Sequence, residues 1–214
     1  MPRAVAPQRT PQLPRLVGDQ WSRDIVLALA DKALQPSELE ARLGISRSTL
    51  YARLADLKAM GMLTARTRTT YPLRIEYDPT AVGRVVFATA LLAERRQCSL
   101  LAGRIDESAS HIGEVLHVLM PLVRVRSSVT AACVLEERSA EVVLDRVGIN
   151  LRKERLSCQP MASRGPIDVR ILGMSDAWTA ALTTGDTCGV QISGDLTLGP
   201  LIMQSIVDVL LPPS

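Results

Sequence analysis

Aromatic side chains are scarce in this sequence. Among 214 residues there are one Phe, three Tyr and two Trp, so a core must be built mostly from Leu, Val, Ile and Ala. No apolar run approaches the roughly 20 residues that cross a bilayer. The opening MPRAVAPQRTPQLPRLV has no hydrophobic signal core. Four cysteines, Cys98, Cys133, Cys158 and Cys188, lie far apart without a CxxC pair. That fits a reducing cytoplasm, and neither a disulfide framework nor a zinc site. His111 and His117 are six residues apart, about 240° around a helix, so they share no face and suggest no metal site. There is no glycine-rich phosphate loop, no GxSxG and no recognisable pair of catalytic acids. The chain reads as a non-enzyme with no catalytic residue and no cofactor.

Charge of one sign is short in each half. Residues 1–105 hold 16 Lys/Arg against 9 Asp/Glu, a net +7, whereas 106–214 hold 9 against 13, a net −4. A basic half marks either a polyanion-binding surface or an ordinary solvated one.

Residues 1–16 carry four prolines and three arginines and read as a flexible basic arm. A helical stripe follows, with Trp21, Ile25, Leu27, Ala28 and Leu29. Pro36 suits the first turn of a second helix, which buries Leu39 and Leu43 and stops at Gly44. Ser46 caps a third helix, which runs to about Met60 and ends at Gly61. Leu63, Ala65 and Thr67 then alternate with Thr64, Arg66 and Arg68. A Thr-Thr-Tyr-Pro loop leads to a second alternating run at Leu73, Ile75 and Tyr77, so a β-hairpin is expected. A long helix from about Thr80 to Arg104 contains Val85 to Leu92, a stretch too apolar to stand without a partner. It is expected to join a homodimer.

The third helix, within GISRSTLYARLADLKAMGML, has Leu50, Leu54 and Leu57 on one face. Its other face carries Ser48, Thr49, Tyr51 and Ala52, flanked by Arg47 and Arg53. Small, hydroxyl and arginine side chains permit close approach to base edges and phosphates. Three helices and an arginine-bearing hairpin make a winged helix-turn-helix. The DNA-contacting candidates are Ser46, Arg47, Ser48, Thr49, Tyr51 and Arg53 on the helix, and Arg66, Arg68 and Arg74 on the wing. A helical hairpin used for protein contacts is the blander reading.

The stretch from GDQWSRDIVLALADKALQPSELEARLGIS to EYDPTAVGRVV resembles the HxlR-type winged-helix transcriptional regulators over about residues 17–100. The shared features are the Trp21 helix after a glycine, PSEL at 36–39, GIS…L…RL…L…GML from 44 to 63, the wing YPLRIEYDPT, and GR at 83–84. The resemblance implies a cytoplasmic homodimer that binds double-stranded DNA. Some members sense electrophiles through an N-terminal cysteine; this chain has none before Cys98.

Residues 106–214 are expected to be α+β. A helix is read over about 108–121. Strands are read in SSVTAACVLEE, AEVVLDRVGINLRKE, GPIDVRILG and CGVQISGDLTLG. Helices are read in DAWTAALTTG, ended by Gly185, and in PLIMQSIVDVLL. The run from DVRILGMSDAWTAALTTG to PLIMQSIVDVL is similar to the end of sterol carrier protein-like domains. That likeness implies an apolar interior holding a hydrophobic small molecule, with Met174, Trp178, Leu182, Ile202, Met203 and Ile206 as its candidate lining. The expected fold class is α+β: a basic arm at 1–16, a winged helix-turn-helix with a long dimerisation helix at 17–105, and a sterol-carrier-like domain at 106–214. Two readings stay open for the second half, a ligand sensor or a packing and dimerisation domain. The functional expectation is a sequence-specific DNA-binding regulator, of repressor type, that responds to a hydrophobic effector and does not engage a membrane. Its rival is a constitutive architectural protein whose second half only joins subunits.

Overall fold

The computed structural model describes residues 13–69, 74–102, 111–139, 142–159 and 166–211. The arm at 1–12, the loop at 70–73 and the helix start expected at 108 lie outside the described residues, as does the Cys98 side chain. Residues 13–16, expected in the arm, instead belong to a short helix α1 (Leu13–Val17). Leu16 anchors it, only 4% exposed in the core beneath.

Helix α2 (Gln20–Ala28) begins where the Asp19 carboxylate accepts the Ser22 N–H and hydroxyl, each at 2.9 Å. Its buried stripe is Ser22, Ile25, Val26 and Leu29. Trp21, expected in that stripe, lies about 90° off its centre and is exposed. Helix α3 (Pro36–Leu43) starts with Pro36, and the Glu38 carboxylate accepts the Gln35 N–H at 2.7 Å. Gly44 closes it with φ +63°, a conformation that glycine adopts without steric cost. Ser46 caps α4 (Arg47–Ala59), which buries Leu50, Leu54 and Leu57. Strands β1 (Leu63–Arg68) and β2 (Arg74–Pro79) pair antiparallel. Leu34 adds a third, one-residue rung through two hydrogen bonds with Tyr77. This is a winged helix-turn-helix with its own core, from Leu16 to Phe87.

Helix α5 (Ala81–Ala102) carries the chain out of the wing. Helix α6 (Ile112–Leu119) follows, ending in a 3-10 turn at Met120–Leu122. The remaining elements are β3 (Ala131–Ser139), β4 (Val142–Arg152), β5 (Arg155–Gln159), β6 (Val169–Met174), α7 (Ser175–Thr184), β7 (Val190–Gly194) and α8 (Leu198–Leu210). The strands form one sheet in the order β5-β4-β3-β6-β7, with β3 and β6 parallel and the other neighbours antiparallel. The arrangement is α+β throughout. No helix among the described residues is long and apolar enough to cross a membrane.

The strand expected to continue through Glu154 turns back instead at Lys153-Glu154, both with positive φ (48° and 65°), and β5 pairs with β4. Two left-handed residues suit a tight hairpin, but Lys-Glu lacks the Asn-Gly chemistry that announces one.

The apolar face of α5 is spent inside the chain. Phe87 joins the first core. Ala88, Leu91 and Leu92 join a second core with α6, α7, α8 and the inner face of the sheet. The stretch expected to need a second protomer finds its partner within its own subunit. Polar groups reinforce this seam. Buried Arg84 donates to the carbonyls of Ala30 (2.8 Å) and Val118 (3.2 Å) and pairs with Asp78 (3.3 Å). Arg95 and Glu137, both fully buried, form an ion pair, and Glu137 also accepts the Ile112 N–H at the start of α6. Beside it Asp145 accepts the Gly113 N–H at 2.8 Å. Two carboxylates from the sheet therefore cap α6, favourable placement for negative charge at a helix N-terminus.

The Gly-Arg pair at 83–84 has a physical basis. A Cβ at position 83 would overlap the backbone carbonyl of Met62. Gly83→Ala should lower unfolding stability by about 1–3 kcal/mol. Arg84→Met should cost about 2 kcal/mol or more, because it leaves two buried carbonyls unpaired. Urea denaturation of both variants checks this; a change under about 0.5 kcal/mol in either, the range of an ordinary surface substitution, would contradict the close packing described.

Candidate nucleic-acid interface

The face of α4 away from its leucines is open. Arg47, Ser48, Tyr51, Ala52 and Ala55 are exposed. The Arg47 guanidinium lies over the Tyr51 ring, 5.7 Å from its centroid. Its other contact among the described residues is a long one to Glu40 at 3.8 Å. Ser46 and Thr49 play a local part: the Ser46 hydroxyl accepts the Thr49 N–H at 3.3 Å and lies 2.8 Å from the Thr49 hydroxyl. These two fix the start of the helix. Arg47 and Tyr51 project beyond it, and the exposed Ser48 hydroxyl lies 3.2 Å from that of Ser46.

Arg53 is placed differently from expectation. The sequence singles it out as a phosphate contact, yet its guanidinium pairs with Asp19 at 2.8 Å and reaches Asp56 at 3.6 Å. It ties α4 to the cap of α2. Burial works against the ionised form of Asp19. The Ser22 backbone and side-chain hydrogen bonds and Arg53 overcome that, and the carboxyl sits below its ordinary value of 3.8.

On the wing, Arg66, Arg68 and Arg74 are all exposed. Arg68 and Arg74 stand directly opposite each other across the hairpin. Like charges on facing strand positions repel. Glu76 answers part of the charge, 3.0 Å from Arg68, and Asp78 lies 3.9 Å from Arg66. The helix face and the wing thus present cations, hydroxyls and small side chains, a surface suited to a polyanion with readable edges.

The candidate effector residues in the second half are arranged otherwise than a pocket lining. Trp178, Leu182, Ile202, Met203 and Ile206 are at most 2% exposed and pack into one continuous core. The Trp178 indole N–H donates to the Glu136 carbonyl at 2.9 Å, and its ring lies against Gly173, where a Cβ would crowd it. These five fill the interior. Met174 points away from it and is 45% exposed, because it alternates with inward-facing Ile171 and Gly173 on β6. None of the six lines either the cleft between α2, α3, α6 and the sheet or the groove between α1, α2 and α5. The first of these brings together Asp31, Glu114 and His117, which sequence reasoning does not connect; they are far apart in the chain and carry no spacing motif.

Residues 16–95 match the HxlR-like helix-turn-helix family. Among solved structures, the chain is similar to the regulator ytfH of Salmonella typhimurium, at 26% identity over 42% of this chain and 81% of that one, TM-score 0.35. It is similar to HlyU of Vibrio cholerae at 27% identity, over 40% of this chain and 88% of that one, TM-score 0.32. A third, sterol carrier protein 2 like 2 from Aedes aegypti, is 16% identical over 55% of this chain and 94% of its own, TM-score 0.28. No curated protein sequence matched the chain.

Because the folded Asp19 carboxyl lies below 3.8, its ionised form favours the native state. That contribution is present above pH 3.8 and lost as pH falls through the lower folded value. Asp19→Asn should therefore be less stable than the parent at pH 7, and the gap in urea midpoint should close on acidification below 3.8. A gap independent of pH would contradict the pairing with Arg53 and Ser22.

Proposed function

We propose that this protein is a sequence-specific, DNA-binding transcriptional regulator of the HxlR-like kind, acting as a homodimeric repressor whose DNA affinity is set by a small molecule. The observation that carries the reading is the exposed, cation-bearing face of α4 beside a wing on which Arg68 and Arg74 oppose each other. An unliganded hairpin loses stability by facing two guanidiniums; a phosphate between or beside them removes that repulsion. In this reading Arg47, Ser48 and Tyr51 meet base edges and phosphates in the major groove. Ser46 and Thr49 hold the helix start against the backbone. Arg66, Arg68 and Arg74 follow the adjoining phosphates or enter the minor groove. Arg53 acts through its tie to Asp19, orienting α4.

The homodimer follows from the geometry of such readers. Two half-sites about one helical turn apart require two helices related by a two-fold axis. Since Leu91 and Leu92 are buried within their own chain, the dimer contact is assigned to surface left open around α1 and the outer side of α5. The second half is the natural receiver of an effector. It is acidic, and the seam around α5 and Arg84 connects it rigidly to the reading head.

Binding to sequences selected from a random DNA pool tests the reading. Combined alanine substitution of Arg66, Arg68 and Arg74 should weaken binding to all sequences alike. The slope of log affinity against log salt should become shallower by about 0.9 for each phosphate that an arginine no longer neutralises. Ser48→Ala and Tyr51→Ala should change which sequence is preferred. Unchanged affinity and slope in the triple variant would remove the wing from the interface. Light scattering should give twice the 23.2 kDa chain mass; a monomer at micromolar concentration would refute the dimer.

A further inference from the structure

A cleft of about 700 Å³ opens between the helix-turn-helix and the sheet. Helices α2 and α3 form one side, α6, β4 and β5 the other. Its walls are of two kinds. Leu27, Leu43, Val147 and Cys158 make an apolar strip, and Asp24, Asp31, Glu114 and Asp145 bring four carboxylates. The basic side chains that reach it are Arg42, Arg146, His111 and His117, and two of them, Arg146 and His117, are taken up by carboxylates. Arg42 donates to the Ala28 carbonyl at 3.2 Å, and Arg146 is bound to Glu136 through two nitrogens, at 2.8 and 3.0 Å. His117 is occupied by Asp31 at 2.9 Å, and Asp145 by the Gly113 N–H. The Oε2 oxygen of Glu114 is different: it is buried and has no hydrogen-bond partner among the described residues. An orphaned buried acceptor is costly. Burial raises the Glu114 carboxyl above its ordinary value although Arg23 and His111 oppose the shift.

We propose that this cleft binds a small organic amine with an apolar body, its ammonium donating to Glu114 and its hydrocarbon part lying on Leu27, Leu43 and Val147, and that occupancy alters DNA affinity. Four carboxylates against two guanidiniums, one of them already held by Glu136, select a cation. The apolar strip and the volume select an organic one, in the size range of small-molecule sites. The location supplies the coupling. Arg42 and Leu43 end α3, one residue before the Gly44 turn into α4. A ligand wedged between this corner and the sheet favours one setting of the reading helix over another, and shifts DNA binding by its differential affinity for the two. The binding stands on the cleft alone; its regulatory consequence rests on the DNA-binding reading above.

Phenethylamine is a suitable probe, with hexylamine and cyclohexylamine beside it, and phenethyl alcohol and 3-phenylpropionate as controls without the cation. Calorimetry and thermal unfolding of the full chain at neutral pH should show binding, and a rise in Tm, for the amines and not for the controls. Glu114→Gln should weaken the amines at least about tenfold, as expected for loss of a hydrogen bond to a charged group. Its own Tm without probe should be equal to or above the parent's, since a carboxyl whose pKa is raised on folding disfavours the native state when ionised. That combination separates a binding role from a structural one. Arg170→Ala, on the outer face of β6 and outside the cleft, should keep amine affinity. No binding of any amine at millimolar concentration, an equal response to alcohol or carboxylate, or amine affinity within twofold of the parent in Glu114→Gln would overturn the site. With binding intact, saturating amine should change DNA affinity at least threefold. An unchanged value overturns the coupling, whereas failure of the parent to bind DNA overturns the regulatory reading and leaves the amine site standing.

Discussion

One guanidinium holds the two halves in register. Arg84 sits at the base of the wing with its side chain almost wholly buried, and it reaches the end of the wing through Asp78, the end of α2 through the Ala30 carbonyl, and the body of α6 through the Val118 carbonyl. A buried cation without partners is strongly disfavoured. Arg84 satisfies itself only when wing, helix-turn-helix and second half are all in place. Its planar fork suits this junction, since a single ammonium lacks the spread of donors to meet three acceptors from three directions. The glycine before it lets α5 start against the Met62 carbonyl, so the fork enters at that point and no other.

From Arg84 onward the seam is polar and apolar by turns. Ala88, Leu91 and Leu92 seal against the second core. Arg95 then meets Glu137 with neither group exposed. Buried ion pairs contribute little net stability beside well-packed hydrophobic residues, but removing one partner is severe. Here the pair also holds the first amide of α6, so α5, α6 and the central strand have a fixed relative position. On the opposite side of β3, Glu136 is enclosed by Arg138 and Arg146. Burial opposes its charge, yet the two arginines keep its carboxyl below the ordinary value. Adjacent glutamates on one strand thus face opposite ways, one to each side of the sheet, as strand geometry requires.

Legibility in the sequence followed the range of the interaction. Pro36, Gly44, Ser46 and Gly61 act on their immediate neighbours, and the helix-turn-helix could be bounded from them within a residue or two. Alternation around Leu63 and Tyr77 disclosed the wing. Met174 was readable too: its even spacing from exposed Arg170 placed it on the outer face, and only the assumption of a pocket drew it inward. What could not be read depends on distant partners. Whether Leu91 meets α6 or a second protomer, whether Trp178 lines a void or fills one, and that Asp31 meets His117 are all settled by tertiary packing. The Arg53–Asp19 tie belongs to the same class. An arginine on the flank of α4 shows no sign in the sequence of its carboxylate partner, 34 residues earlier.

The parallel pairing of β3 with β6 gives the chain an order of assembly. Cys133 lies beside Val169, so the central rung waits for 36 further residues, whereas the first core closes with nothing beyond Phe87. During synthesis the helix-turn-helix core can therefore form while the sheet is still incomplete. Through that interval Ala88, Leu91 and Leu92 project from the first core until α6, α7, α8 and the sheet enclose them. A chain released at that stage would carry a folded helix-turn-helix and an uncovered apolar stripe on α5.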